Sequence, residues 1–484
     1  MSALSEAQIK ALAGELALRL GLAGVAPAAA PAPAAAPPPG AALGEGIHAD
    51  VDGAVAAAGR AFRALAAAEP SLRARLVDAI RAALLPAAAR LGELARAETG
   101  LGRAADKELK NRLVTLKTPG PEALAPRAAS GDRGLVLMEP APFGVIAAIA
   151  PITNPTSTVI CNAIGMLAAG NAVVFNPHPG AAACSAETVR LIHRAVLAAG
   201  GPPDLVTAVA EPTIASAQAL MRHPGVRLLV VTGGAGVVRE AMASGKRAIC
   251  AGPGNPPVVV DETADLDAAG RDIAFGASLD NNIICVDEKE VFVVAEAAAG
   301  LLAAMQRHGA RVLTAGEIAR LTPLLFDELR GAGKPGVIAK RWIGQDAPAI
   351  LAAIGAPCDP AARLLVAPVP AEHPLVWTEQ MLPVLPVVAV ADADTAIDLA
   401  VRAEHGCGHS AAMHSRRLDR LSRMAREINT SIFVKNGPCA AGLGHGGEGY
   451  ASFSIASPTG EGLTGPHSFS RERRCVLVDH FRIV

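Results

Sequence analysis

A chain of 484 residues with 51% apolar content can bury more than one core, which excludes a small stapled module and points to two or three domains. Its 44 basic residues nearly cancel its 45 acidic ones, so the net charge of -1 supplies no global field to gather nucleic acid or an anionic membrane. The eight cysteines show no close regular pairing, which argues against a disulfide framework or a zinc ribbon and fits a reducing, cytoplasmic setting.

Residues Ser5 to Leu20 place Ile9, Leu12, Ala13, Leu16 and Leu20 at helical spacing, with Ser5 and Gln8 as a capping box. This predicts an amphipathic helix in segment 1–21, and Glu6 and Lys10 within it do not suit a secretory signal. Segment 22–45 is almost wholly Ala, Pro and Gly, including Pro37-Pro38-Pro39, and reads as a semi-extended tether. An apolar helix face held on a tether needs a partner groove or its own oligomer, so the segment reads as a docking or encapsulation tag, with a frayed terminus of no role as the alternative.

Ala-rich helices are expected from Val51 to about Thr99. The strand-forming stretch Arg133 to Met138 follows, and from Phe143 apolar strands alternate regularly with helices. Strands are expected at Phe143 to Ile149, Ala172 to Phe175, Leu205 to Val209, Arg227 to Val231 and Ala248 to Cys250, with helices from about Thr156, Ala181 and Thr213. These read as parallel βαβ units in an α/β domain over 46–256, whose ligands belong at the C-terminal strand ends. A second α/β domain is expected over 257–456. Segment 457–484 closes the chain with a strand at Cys475 to Val484, which like a strand at about 133–139 reads as an edge that needs covering, pairing between subunits being one way.

Four places carry residues suited to chemistry. Cys285 stands between the polar cluster Asp280-Asn281-Asn282 and the strand-like run Glu290 to Val294, and reads either as a buried core thiol or as a nucleophile. The turn Val231-Thr232-Gly233-Gly234-Ala235-Gly236 lies between an expected strand and an expected helix, where backbone amides can meet a phosphate. His405-Gly406-Cys407-Gly408-His409 has metal-ligand types, which alternation would put on one strand face, but lacks a matching second pair, and a structural role is favoured over a metal site. The glycine-dense stretches Gly442 to Tyr450 and Thr459 to Gly465 are either linkers or places where backbone approaches a bulky ligand.

Taken with Gly144-Val145-Ile146 through Thr153-Asn154-Pro155, Ala168 to Pro179, Asn281 to Cys285, Ser431 to Pro438 and Pro458 to Gly462, these segments resemble the aldehyde dehydrogenase superfamily. Within it they are similar to the CoA-acylating propionaldehyde and acetaldehyde dehydrogenases of bacterial microcompartments, over nearly the whole chain from Gly46. The resemblance implies an α/β fold with a Rossmann-type nucleotide-binding domain, an α/β catalytic domain and an oligomerisation arm. It also implies that Cys285 is the nucleophile and that Asn154, with the backbone N–H of Cys285, receives the alkoxide. Thr153, Gly233, Gly234, Val237 and Gly252 would line the dinucleotide site, and Glu379 would hold the nicotinamide ribose.

Two departures from the superfamily pattern matter. The common Lys-Pro-x-Glu reads Asn176-Pro177-His178-Pro179, which leaves NAD as the expected cofactor and NADP as an alternative. The Glu-Leu-Gly-Gly-Lys-type segment of enzymes that release free acids reads Ala251-Gly252-Pro253-Gly254-Asn255, so the base that activates water is missing. A thioester on Cys285 would then wait for coenzyme A. The expected protein is thus a CoA-acylating, NAD-dependent enzyme for short aldehydes, a homodimer or homotetramer, held by its N-terminal helix inside a microcompartment. A CoA-independent aldehyde dehydrogenase and a catalytically silent shell-cargo scaffold are the alternatives.

Overall fold

The computed structural model describes residues 42–357 and 359–483. The expected tag helix and most of the tether lie outside them. The last residues of the expected tether, Ala42–Gly44, instead form a strand that pairs antiparallel with Ile47–His48.

The first sheet has seven strands in the order Ala42–Gly44, Ile47–His48, Val206–Val209, Ala172–Pro177, Val145–Ala150, Val226–Thr232 and Ala248–Ala251. All neighbours after the first pair run parallel. Strand order reverses beside Val145–Ala150, the first of the alternating set, which opens a crevice at the carboxyl ends of that strand and of Val226–Thr232. The central helix Pro155–Ala168 is buried along its entire length and therefore carries almost no charge. Pro155 at its first position fits because that N–H would have no helical partner.

A second parallel sheet of seven strands runs Ala310–Val312, Leu364–Pro368, Val384–Val390, Glu290–Val294, Pro257–Val260, Ser410–His414 and Ile432–Lys435. Its central strands are apolar on both faces, since Val258, Val260, Val291 and Val293 enter one core while Val259 and Phe292 enter the other. The chain then returns to the first core sooner than the expected boundary at 456. Ala440, Leu443, Ala451, Phe453 and Ile455, expected in the catalytic domain, pack in the core of the first sheet.

The two expected edge strands pair with each other within one chain, Ser470–Val478 running antiparallel to Gly134–Pro142, and an unforeseen strand Arg127–Gly131 covers the other side. The expected strand face at His405 to His409 does not form. His405 and Gly406 take left-handed backbone conformations, the strand begins only at Ser410, and His405 Nε2 lies 3.0 Å from the Trp377 carbonyl. Among the described residues no cluster of His, Cys, Asp or Glu suits a metal, and no helix is long and apolar enough to cross a membrane.

Candidate active site

Cys285 leaves its helix through a strained turn. After the Leu266–Ser278 helix, Asp280, Asn281 and Asn282 all take left-handed conformations, with φ of 48°, 56° and 65°. Asp and Asn tolerate this region better than other side chains, yet three in succession persist only if the surroundings hold them. Each of the three is clamped. Oδ1 of Asp280 accepts from the backbone N–H of Arg103 at 2.6 Å, and its Oδ2 meets the Lys107 and Lys110 ammonium groups. Asn281 donates to the Gly344 carbonyl and to Asp346, both at 2.9 Å. Asn282 donates to the carbonyls of Ala277 and Glu288 at 2.8 and 2.9 Å. The Ile284 N–H is held by Asp287 Oδ2 at 3.1 Å, which stiffens the step before the thiol.

A cavity of about 580 Å³ opens at the carboxyl ends of the first sheet and reaches Cys285. Its lining brings together the residues named for the catalytic and dinucleotide sites: Cys285, Asn154, Thr153, Asn176, Pro177, His178, Gly233, Gly234, Val237, Gly252 and Glu379. Strand Val145–Ala150 leads into Thr153 and Asn154, while Ala172–Pro177 delivers Asn176 and, just beyond it, His178. Asn176 is fixed by the Ser216 hydroxyl, which donates to its Oδ1 at 2.6 Å. The His178 ring is occupied locally, with Nδ1 accepting from the Gly180 N–H at 3.0 Å.

Gly234 is the N-cap of the Ala235–Met242 helix, and the space around Gly234 and Gly236 is open. Free N–H groups at a helix start beside open space suit the phosphates of a dinucleotide. Gly233 is needed for a different reason: a Cβ there would stand 2.8 Å from Val237 Cγ1. Gly252 carries the wall onward, and Ala251 is buried at the end of its strand rather than facing the cavity. Asn255 anchors this segment by donating to the carbonyls of Val376 and Ala403 at 3.2 and 2.9 Å.

The electrostatics at the thiol are those of a deep site. Burial, then the nearby Glu379 carboxylate, push Cys285 up to about 12, with Lys289 pulling the other way. Glu379 is itself raised by burial and makes a long 3.5 Å contact from the Gly254 N–H. The thiol keeps access to the cavity although it lies deep. It therefore rests protonated, and its attack requires the proton to leave as substrate arrives.

Sequence reasoning missed the Ala104–Lys117 helix as part of the site. Its segment Asp106-Lys107-Glu108-Leu109-Lys110 looks like an ordinary solvated face, yet Lys107 and Lys110 are each only 2% exposed. Leu443, Phe453 and Ile455, from the glycine-dense return, also line the cavity.

The model of the aldehyde dehydrogenase family matches residues 38–322. Acetaldehyde dehydrogenase (acetylating) EutE of Salmonella typhimurium is 52% identical over 440 residues, covering 91% of this chain and 94% of the relative. The propionaldehyde dehydrogenase of Rhodopseudomonas palustris, solved with bound CoA and an acylated cysteine, is 46% identical with a TM-score of 0.88, covering 91% of this chain and 100% of that one. A propionaldehyde dehydrogenase from the fucose utilisation microcompartment of Clostridium phytofermentans is 43% identical with a TM-score of 0.87, again over 91% and 100%. With its fold, its cavity and its relatives in agreement, the chain belongs to the aldehyde dehydrogenase family, in the branch of CoA-acylating acetaldehyde and propionaldehyde dehydrogenases.

Proposed function

We propose that the protein oxidises a short aldehyde, acetaldehyde or propionaldehyde, to its acyl-CoA with reduction of a nicotinamide dinucleotide. The observation that carries this reading is Cys285 on its clamped turn, facing the same cavity as the Asn154 amide and a glycine-flanked helix start. As its proton passes to water in the cavity, Cys285 Sγ forms a bond to the aldehyde carbon, and the carbonyl electrons move onto oxygen. Asn154 Nδ2 and the Cys285 N–H donate to that oxygen, whose collapse breaks the C–H bond and leaves a thioester on sulfur. Gly233, Gly234 and Val237 would hold the nicotinamide dinucleotide, which would supply the hydride acceptor.

Only Glu240 and Glu379 bring carboxylates to the cavity among its described lining residues. Glu240 is ion-paired with Arg222, and Glu379 is assigned to the cofactor's ribose. Water thus lacks a dedicated base, and the CoA thiol attacks the thioester, displacing Cys285 and forming acyl-CoA.

The protein acts inside a bacterial microcompartment, recruited by segment 1–21, and assembles as a homodimer or homotetramer through the 127–142 and 470–478 arm. A related enzyme comes from such a compartment, and the arm exposes Val476, Leu477 and Val478.

The catalytic reading is tested by following cofactor reduction from propionaldehyde with and without CoA. The expected result is a single burst without CoA, with the acyl group found by mass spectrometry on Cys285, and sustained turnover with it. Sustained CoA-independent turnover to the free acid would overturn it. Recruitment fails if a chain lacking residues 1–43 co-purifies with shells as well as the full chain.

A further inference from the structure

Asn154 occupies the N-cap of the Pro155–Ala168 helix without making a side-chain capping bond. An N-cap Asn ordinarily accepts from the first-turn N–H groups, a contact worth ~1 kcal/mol. Here Oδ1 is taken instead by Lys110 Nζ at 2.6 Å. The same ammonium contacts Asp280, which Lys107 meets at 2.9 Å while also donating to the Thr153 carbonyl at 3.3 Å. Lys110 therefore joins the alkoxide donor to the first residue of the left-handed turn that carries Cys285. Two cations share one carboxylate there, with all three side chains buried.

We propose that Lys110 is a positioning residue for Asn154, fixing which end of its amide faces the reacting carbon and polarising that amide toward the developing alkoxide. With Lys110 against Oδ1, the opposite amide orientation would set NH2 against ammonium, two donors with no acceptor. Nδ2 is thereby turned away from Lys110. One of its hydrogens goes to Thr153 Oγ1 at 3.1 Å, and the second has no partner among the described residues. A cation bonded to Oδ1 draws charge from the amide nitrogen and strengthens the donor that remains. Because Asp280 fixes both the ammonium and the turn, Asn154 and Cys285 keep one spacing.

This inference rests on the reading that Cys285 attacks and Asn154 stabilises the alkoxide, and its test isolates that half-reaction. Single-turnover cofactor reduction with propionaldehyde and no CoA is measured for the full chain, Lys110→Met, Asn154→Ala and the double variant. Removing one alkoxide donor costs about 100-fold or more in such sites, so Lys110→Met is expected to slow acylation about 10–100-fold in the native background. In the Asn154→Ala background it should change the rate by less than about 2-fold. Alkylation of Cys285 by iodoacetamide develops no alkoxide and should stay within about 2-fold of the native rate.

Lys110→Arg keeps the charge and should recover part of the loss, and Lys110→Gln replaces Met if the latter does not fold. Equal losses in both Asn154 backgrounds, or alkylation falling in step with acylation, would overturn the proposal. Failure of the CoA-acylating reading would show separately, as CoA-independent turnover by the native enzyme.

Discussion

Lys289 and Asn282 are joined at the base of the nucleophile's turn. The buried ammonium donates to the Asn282 carbonyl at 2.7 Å, and it also contacts the Asn282 side chain and the Ile284 carbonyl. It is surrounded by Asp287, Glu288 and Glu290, all fully buried; burial raises Glu288 to about 7 and the other two well above the ordinary carboxyl range. Replacing Lys289 with Met leaves these acceptors and acids without their cation. The buried carbonyls left without a donor are expected to cost about 1–3 kcal/mol in unfolding free energy. Denaturant titration checks it, and a loss below ~1 kcal/mol would show that the turn does not depend on this lysine.

The raised Cys285 thiol gives a pH dependence of definite sign. Burial disfavours the thiolate, so below about 12 its fraction grows with pH instead of levelling off near neutrality. In cofactor-free enzyme the iodoacetamide rate should climb close to tenfold per unit between about pH 7 and pH 9. A bend near about pH 8.5, where an unperturbed thiol is half ionised, would contradict the assigned environment.

Gly92 links remote packing to the site. A Cβ there would stand 2.7 Å from the Ala104 carbonyl oxygen and 2.9 Å from the Glu108 N–H nitrogen, both backbone atoms of the helix that carries Lys110. Gly92→Ala, which in an exposed helix gains up to ~1 kcal/mol, should here cost about 1–3 kcal/mol by displacing that helix. Its kcat should fall while KM for the cofactor changes little, because the dinucleotide wall belongs to other elements. Unchanged kcat together with an unchanged melting temperature would show that the helices separate freely.

The three-stranded arm leaves Val476 at 61% and Val478 at 70% exposure on one strand face. If this face is covered by a second subunit, Val476→Asp combined with Val478→Asp should lower the mass seen by light scattering while thermal unfolding of the monomer remains cooperative. An oligomer of unchanged mass would exclude the arm as the interface.

Strand runs such as Val145–Ala150 and Glu290–Val294 were legible because residues buried on both sheet faces must be apolar, and glycine or proline marks their ends. The Gly233–Gly234 turn was readable for a similar local reason, since it lies between a strand and a helix start, whereas Asn154-Pro155 was singled out by family resemblance. The His405 to His409 stretch misled because alternation was assumed where glycines allow the backbone to reverse. Lys107 and Lys110 were invisible because charge in a helix ordinarily signals solvent, and only a partner 170 or more positions away overrides that signal.

By itself the sequence determined the alternation of strands and helices and the polar and strand-like neighbours of Cys285, while the family resemblance implied the nucleophile's role and the missing water-activating carboxylate. Those features are carried by residue type and short spacing, which the chain expresses locally. Tertiary structure alone decided that two lysines are buried on Asp280, that Asn154 surrenders its capping role to one of them, and that the glycine-rich return closes the cavity. Each of these depends on where distant segments meet, and the energy of a buried charge is fixed by its partners and not by its own identity.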